Sequence, residues 1–241
     1  MINVLLAFMI IICFLIAIVI HEYMHALTAS LLGDPTPRAQ GRQSLSLRAH
    51  LDSMGTLLCV VLAFLPVGAG PLGLGWGKPG KTDPWKLRGG PNVGTLLVSL
   101  VGIVVSLALG LLVAFLMRFL PALLGANLVV FRVVQFIEVF AAANLALGLF
   151  NLLPVYPLDG YQILYTLLPS RQALKFARSA QYGPLIIVIL LFVLPFLGTI
   201  TRTSGFPLFR IPFYLMQGII GLISLASGLP FSDLYYLYNV F

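Results

Sequence analysis

The residues best equipped for chemistry in this chain lie side by side: His21-Glu22-Tyr23-Met24-His25. On a helix, residues i and i+4 share a face, so both imidazoles can bind one divalent cation. Glu22, next to the first imidazole, can take a proton from an attacking water and pass it to a leaving amine. The pattern is specific because its ingredients are scarce. The chain holds three His and two Glu, and this pentapeptide uses two of the first and one of the second. Random placement would produce it about three times in ten thousand such chains. The plain alternative is a chance motif or a polar helix end at the headgroups. It is disfavoured because His and Glu at membrane depth are costly and usually functional.

A catalytic zinc site takes three protein ligands and leaves one position open. The candidates for the third ligand are His50, Asp34, Asp52, Glu138, Asp159, Cys13 and Cys59. Asp159 is the best of them. It lies in Asn151-Leu152-Leu153-Pro154-Val155-Tyr156-Pro157-Leu158-Asp159-Gly160, where two prolines and a glycine interrupt a hydrophobic helix. A broken helix at membrane depth belongs where it lines a cavity. The competing role for Asp159 is to cap the helix that follows. Asn144 and Asn151 are seven apart, two turns along one helix face, and their amides need partners in lipid. Helix–helix hydrogen bonding is one use for them; contact with substrate is the other. Glu138 and Arg132 do not share a face well. His50 reads as a loop residue near the membrane surface. Cys13 and Cys59 sit inside apolar runs, form no CxxC, and read as small core residues.

The two motifs together resemble the site-2 protease family of intramembrane zinc metalloproteases (M50-like), whose members carry HExxH on one transmembrane helix and an NxxPxxxLDG-like motif on another. Here those are His21 to His25, and Asn151, Pro154, Leu158, Asp159 and Gly160. The resemblance extends to Gly33-Asp34-Pro35-Thr36-Pro37-Arg38, Gly41-Arg42, His50-Leu51-Asp52 and Gly75-Trp76-Gly77-Lys78-Pro79, which look like the compact branch without PDZ or CBS domains. It covers roughly residues 10 to 168. It implies one Zn²⁺ held by His21, His25 and Asp159, Glu22 as general base, and Asn151, Ser106 and Asn144 as substrate or oxyanion contacts. It also implies transmembrane protein substrates, such as the membrane segments of regulators or leftover signal peptides. Gly102-Ile103-Val104-Val105-Ser106 stands where relatives often read GPxxN, and Gln162 where they often have Arg.

The elements that must position these residues follow from composition. Of 241 residues, 60% are hydrophobic and only 9% charged. A soluble domain is nearer half apolar and a quarter charged, and disorder requires low hydrophobicity. Long unbroken apolar runs, rather than alternation, exclude a β-barrel. The expected fold is an all-α polytopic membrane protein with about five transmembrane helices, one re-entrant segment, a short membrane-associated β element and a site-2 protease-like core. The spanning runs are Val4 onward through the HExxH, Val93 to Met117, Leu128 to Leu153, Pro184 to Ile200 and Ile211 to Leu229. No Lys or Arg precedes Arg38, so the first run reads as a retained helix rather than a cleaved leader. Alternation in Ser44-Leu45-Ser46-Leu47 suits a short strand, which could bind an extended substrate by β-addition. Within Met54 to Gly77 only Thr56 to Leu65 favours helix. Ten residues reach about 15 Å, half of a ~30 Å hydrocarbon core, so residues 56–75 read as re-entrant. A short helix is expected from Tyr161 to Leu168, before a basic patch of Arg171, Lys175 and Arg178. The division is a catalytic core over residues 1–168 and two further transmembrane helices over 169–241.

The net charge of +7 fits the basic excess of cytoplasmic loops; basic residues are too dispersed for nucleic acid. If residues 56–75 do not cross, ten of the fourteen Lys and Arg fall inside and four outside. His21, His25 and Asp159 then share the inner side. The expected location is a bacterial cytoplasmic membrane, multi-pass, with the active site toward the cytoplasm. The rival readings are a membrane metal transporter or metal-binding protein, and a catalytically inactive substrate-binding homologue. The first lacks a polar path on both sides of the site; an intact Glu22 speaks against the second.

Overall fold

The computed structural model describes residues 4–65, 73–120, 127–202 and 206–239, with backbone only for Leu237 and Asn239. In chain order the helices are α1 (Val4–Leu31), two single turns α2 (Thr36–Ala39) and α3 (Leu47–His50), and α4 (Ser53–Phe64). Next come α5 (Gly90–Met117), α6 (Leu128–Asn151), α7 (Asp159–Leu167), α8 (Ser170–Ala177), α9 (Gly183–Val188) and α10 (Leu194–Thr201). The chain closes with α11 (Ile211–Ser227) and α12 (Phe231–Asn239). Among the described residues five stretches are long and apolar enough to cross a membrane: Val4–Leu31, Gly90–Met117, Leu128–Asn151, Ser170–Thr201 and Pro207–Ser227. Their number and order match the expectation from the apolar runs. The fourth reaches further toward the N-terminus than its apolar part, because α8 to α10 join through a 3-10 and a π segment.

Helix α6 is the centre of the bundle. From Ala141 to Gly148 every residue is buried, which requires neighbours on all sides. The run Ala141-Ala142-Ala143 with Ala146 and Gly148 makes that possible, since small side chains let backbones approach. Gly110 of α5 sits against Leu145 of α6, and Gly148 of α6 against Leu107 of α5, with no room for a Cβ at either. The pairing of 107 with 148 and 110 with 145 makes α5 and α6 antiparallel. Helix α1 also runs antiparallel to α5, because His21 meets Ser106 while His25 meets Val98. Val4, Phe8, Ile12 and Ile16 of α1 stay exposed at intervals of four residues, a stripe that in a membrane faces lipid. One buried apolar cluster runs from Leu6 of α1 through Met117 and Val139 to Ile219 and Ile223 of α11, so the C-terminal helices share the core.

The polar stretch between α1 and α5 starts and ends at one place: the Arg88 N–H donates to the Leu32 carbonyl at 2.8 Å. Both ends therefore lie on the same side of the bundle. Within it, Gly55 at the start of α4 lies against the backbone of Trp76. The expected re-entrant turn in residues 56–75 has residues 66–72 outside the described part.

The expected strand at Ser44 to Leu47 does not form. Leu47 opens the turn α3, and among the described residues the only β pairing is a single bridge, Leu51 to Gly77. Local polar bonds account for this. Ser44 Oγ donates to the Gly41 carbonyl at 2.7 Å, and His50 Nε2 donates to the Ser44 carbonyl at 2.7 Å. Side chain-to-backbone bonds of this kind compete with a ladder and curl the segment.

Candidate metal centre and active site

Helix α1 carries the HExxH in its second half, facing α5 and the start of α7. His21 Nε2 lies 3.0 Å from Asp159 Oδ2, His25 Nε2 lies 3.2 Å from the same oxygen, and the two Nε2 atoms are 3.0 Å apart. One ligand atom from each residue falls within 4.8 Å of the others, and among the described residues no other His, Cys, Asp or Glu group does this. A tetrahedral zinc ion with ligand bonds of about 2.0–2.1 Å has its donor atoms roughly 3.3 Å apart. The observed spacing fits that donor set.

The remaining ring nitrogens are held from outside the cluster. His25 Nδ1 is 2.7 Å from the Val98 carbonyl, which can only accept, so Nδ1 carries the hydrogen. His25 Nε2 is left facing a carboxylate oxygen and a second imidazole, an arrangement that a shared proton or a metal ion would satisfy. His21 Nδ1 pairs with Ser106 Oγ at 2.9 Å, a hydroxyl that can donate or accept. Gly102 lets α5 come this close: a Cβ there would meet the His25 and His21 rings.

Asp159 reaches the imidazoles because the helix breaks where the two prolines and the glycine require. Helix α6 stops at Asn151, residues 152–158 turn, and α7 opens at Asp159. Its carboxylate does not cap α7 but points at the two histidines. Asn151 spans the break. Its amide donates to the Leu147 carbonyl at 2.9 Å and its oxygen accepts from the Asp159 N–H at 3.4 Å.

Glu22 is buried beside these groups, at 9% exposure. Gly77 packs directly against its carboxylate, leaving no space for a Cβ. Arg42 Nη1 lies 3.5 Å from Glu22 Oε2. Glu22, His25 and Asp159 open onto a cleft of about 480 Å³, bordered further by Thr95, Ser99 and Gln162. His25 and Asp159 of the donor cluster and the neighbouring carboxylate thus share one cavity.

The other candidates lie elsewhere. Ser106, Asn151 and Asn144 are buried and do not line the cleft. Ser106 sits behind His21, Asn151 behind Asp159, and Asn144 donates to its own helix at the Phe140 carbonyl, 2.9 Å away. Asp34 accepts from the Thr36 and Asp83 N–H groups at 2.9 and 2.7 Å. Burial raises its pKa, but those hydrogen bonds outweigh burial and hold the carboxyl below its usual range. Asp52 caps α4. His50 is fully buried, and desolvation pushes its imidazole below the ordinary value despite the bond to Ser44. Cys13, Cys59 and Glu138 belong to the bundle interior. Sequence reasoning missed the Val98 carbonyl and the charged contact of Arg42. The Gly41-Arg42 pair within the resemblance was the signal that marked Arg42.

Two proteins show extended similarity. "Putative zinc metalloprotease YwhC" of Bacillus subtilis is 34% identical over 187 residues, 77% of this chain and 80% of its own length. "Putative zinc metalloprotease Rip2" of Mycobacterium tuberculosis is 31% identical over 190 residues, 79% of this chain and 68% of its own. The profile of Peptidase family M50 matches residues 121–194, which contain the Asn151 to Gly160 motif. The chain belongs to peptidase family M50. Membership makes it a zinc metallopeptidase of the site-2 protease type, and the five long apolar helices make this M50 member an integral membrane protein. No solved structure gives a significant match.

Proposed function

We propose that this M50 peptidase hydrolyses peptide bonds in or near the transmembrane segments of membrane proteins, with His21, His25 and Asp159 as the zinc ligands and Glu22 as the general base. The observation that carries this is the convergence of the three donor atoms within 4.8 Å, next to Glu22, at one cleft. When bound, the ion supplies Lewis acidity toward the scissile carbonyl and toward water.

The chain's own groups do the rest. Glu22 accepts the proton of the attacking water and delivers it to the leaving amine. The Val98 carbonyl fixes the His25 tautomer, Ser106 holds the orientation of the His21 ring, and Asn151 fixes the backbone that presents Asp159. In this role Ser106 and Asn151 act through the ligands rather than on substrate. The substrate must be locally unwound, because helical amides are shielded by their own hydrogen bonds. With no strand at Ser44 to Leu47, one non-helical border of the cleft is Lys78 to Thr82, and an extended substrate would lie along it. Seven of the ten basic residues expected on the cytoplasmic face flank that cleft in sequence, between α1 and α5. This supports a cytoplasmic orientation of the site.

The decisive comparison is Glu22→Gln in the full chain. It should keep bound zinc at the wild-type stoichiometry and lose ~10²-fold or more of the cleavage of a transmembrane substrate. Undiminished cleavage by this variant removes Glu22 as the base. Metal analysis of His21→Ala and Asp159→Ala checks the ligands; a full complement of zinc in either excludes that residue.

A further inference from the structure

We infer that Arg42 is a positioning residue for hydrolysis, holding the Glu22 carboxylate and the Lys78–Pro79 wall of the cleft as one unit. The inference rests on the reading of Glu22 as the base. Arg42 is 6% exposed, follows the turn after α2, and is anchored by its N–H to the Pro37 carbonyl at 3.0 Å. Its guanidinium makes three contacts. Nη1 donates to the Lys78 carbonyl at 2.8 Å, Nη2 donates to the Pro79 carbonyl at 3.1 Å, and Nη1 also lies 3.5 Å from Glu22 Oε2.

A cation buried this far must be matched by acceptors. Two carbonyls satisfy the hydrogen-bonding fork but not the charge; Glu22 supplies the charge. The relation works in both directions. Glu22 is buried with Gly77 against it, and the guanidinium is the side chain that meets its carboxylate from the Lys78–Pro79 side. Lys78 is otherwise held from its N–H, which donates to the His50 carbonyl at 2.7 Å. Arg42 therefore sets the distance between the wall along which substrate lies and the carboxylate that handles the proton. The flat fork is needed for this. A lysine offers one point charge and cannot reach two successive carbonyls and a carboxylate together.

The test uses the full chain in detergent or lipid discs with a transmembrane substrate. It measures kcat, KM and bound zinc for wild type, Arg42→Ala, Arg42→Lys and Glu22→Gln. Displacing a catalytic group by about 1 Å costs ~10²-fold in rate. Arg42→Ala is therefore expected to lose ~10²-fold in kcat, with KM within ~3-fold and zinc content unchanged. Arg42→Lys should remain well below wild type. Millimolar guanidinium chloride, but not sodium chloride, should restore part of the kcat of Arg42→Ala and none of that of Glu22→Gln. The inference is overturned if either Arg42 variant keeps kcat within ~3-fold of wild type. It is also overturned if their losses track zinc loss or KM alone and guanidinium does nothing, which is the signature of a structural arginine. If Glu22→Gln itself cleaves normally, it is the base assignment that falls.

Discussion

Gly102→Ala tests the metal centre without touching any donor. An ideal Cβ at Gly102 stands 2.8 Å from His21 Cε1 and nearer still to the His25 ring. Carbon–carbon contact is comfortable only from about 3.5 Å, so the His21 ring must retreat by roughly 0.7 Å and the His25 ring further. Neither ring is free to do so, because their Nδ1 atoms are held at 2.9 and 2.7 Å by Ser106 and Val98. A zinc site tolerates ligand displacements of about 0.2 Å. The substitution therefore costs at least what losing such an outer contact costs, 10- to 100-fold in metal affinity, or about 1.4–2.7 kcal/mol. Competition with a chelator of known affinity measures this directly on purified protein. Gly221→Ala is the control, since nothing lies within 4 Å of its Cβ position. If Gly102→Ala binds zinc within twofold of wild type while Gly221→Ala behaves normally, the imidazoles are not fixed as described.

Gly77→Ala pushes a methyl group into the Glu22 carboxylate, and should lower kcat by ~10-fold or more while leaving bound zinc intact, read by metal analysis beside a cleavage assay. His50 is buried with Nε2 donating to Ser44 and Nδ1 without a hydrogen bond among the described residues. Its folded pKa lies below the unfolded value of about 6.5, so the unfolded segment binds the extra proton. Its stabilising contribution is therefore full above that value and is lost as pH falls through the lower, folded one. Hydrogen exchange across residues 42–51, corrected for intrinsic rates, should quicken below pH ~6.5, and His50→Gln should flatten that dependence.

Much of the site was legible because helical periodicity is rigid. Residues four apart on an apolar run can face only one way together, so His21 and His25 were a pair before any coordinates. Asp159 was legible because Pro154, Pro157 and Gly160 forbid a continuous helix and so mark where a chain can turn inward. What stayed hidden depended on the rotation of one helix against another. A hydroxyl at Ser106 reads equally as a substrate contact or as a partner for His21, and only the crossing of α1 over α5 decides. Alternation at Ser44 to Leu47 misled because a period of two counts only when a partner edge is present, and there the hydroxyl and imidazole bonded the local backbone first. Arg42 was hidden for a similar reason: its partners lie 20 and more than 35 residues away in the chain.

The bond between Leu32 and Arg88 has a meaning for how such enzymes diversify. A connection whose two ends are stapled together can grow without pushing on what it joins. Each doubling of its length adds only about 0.6 kcal/mol of closure entropy. The parts of this stretch that do not touch Glu22 or the cleft are thus a natural graft point, where added residues leave the helices that frame the reaction in place.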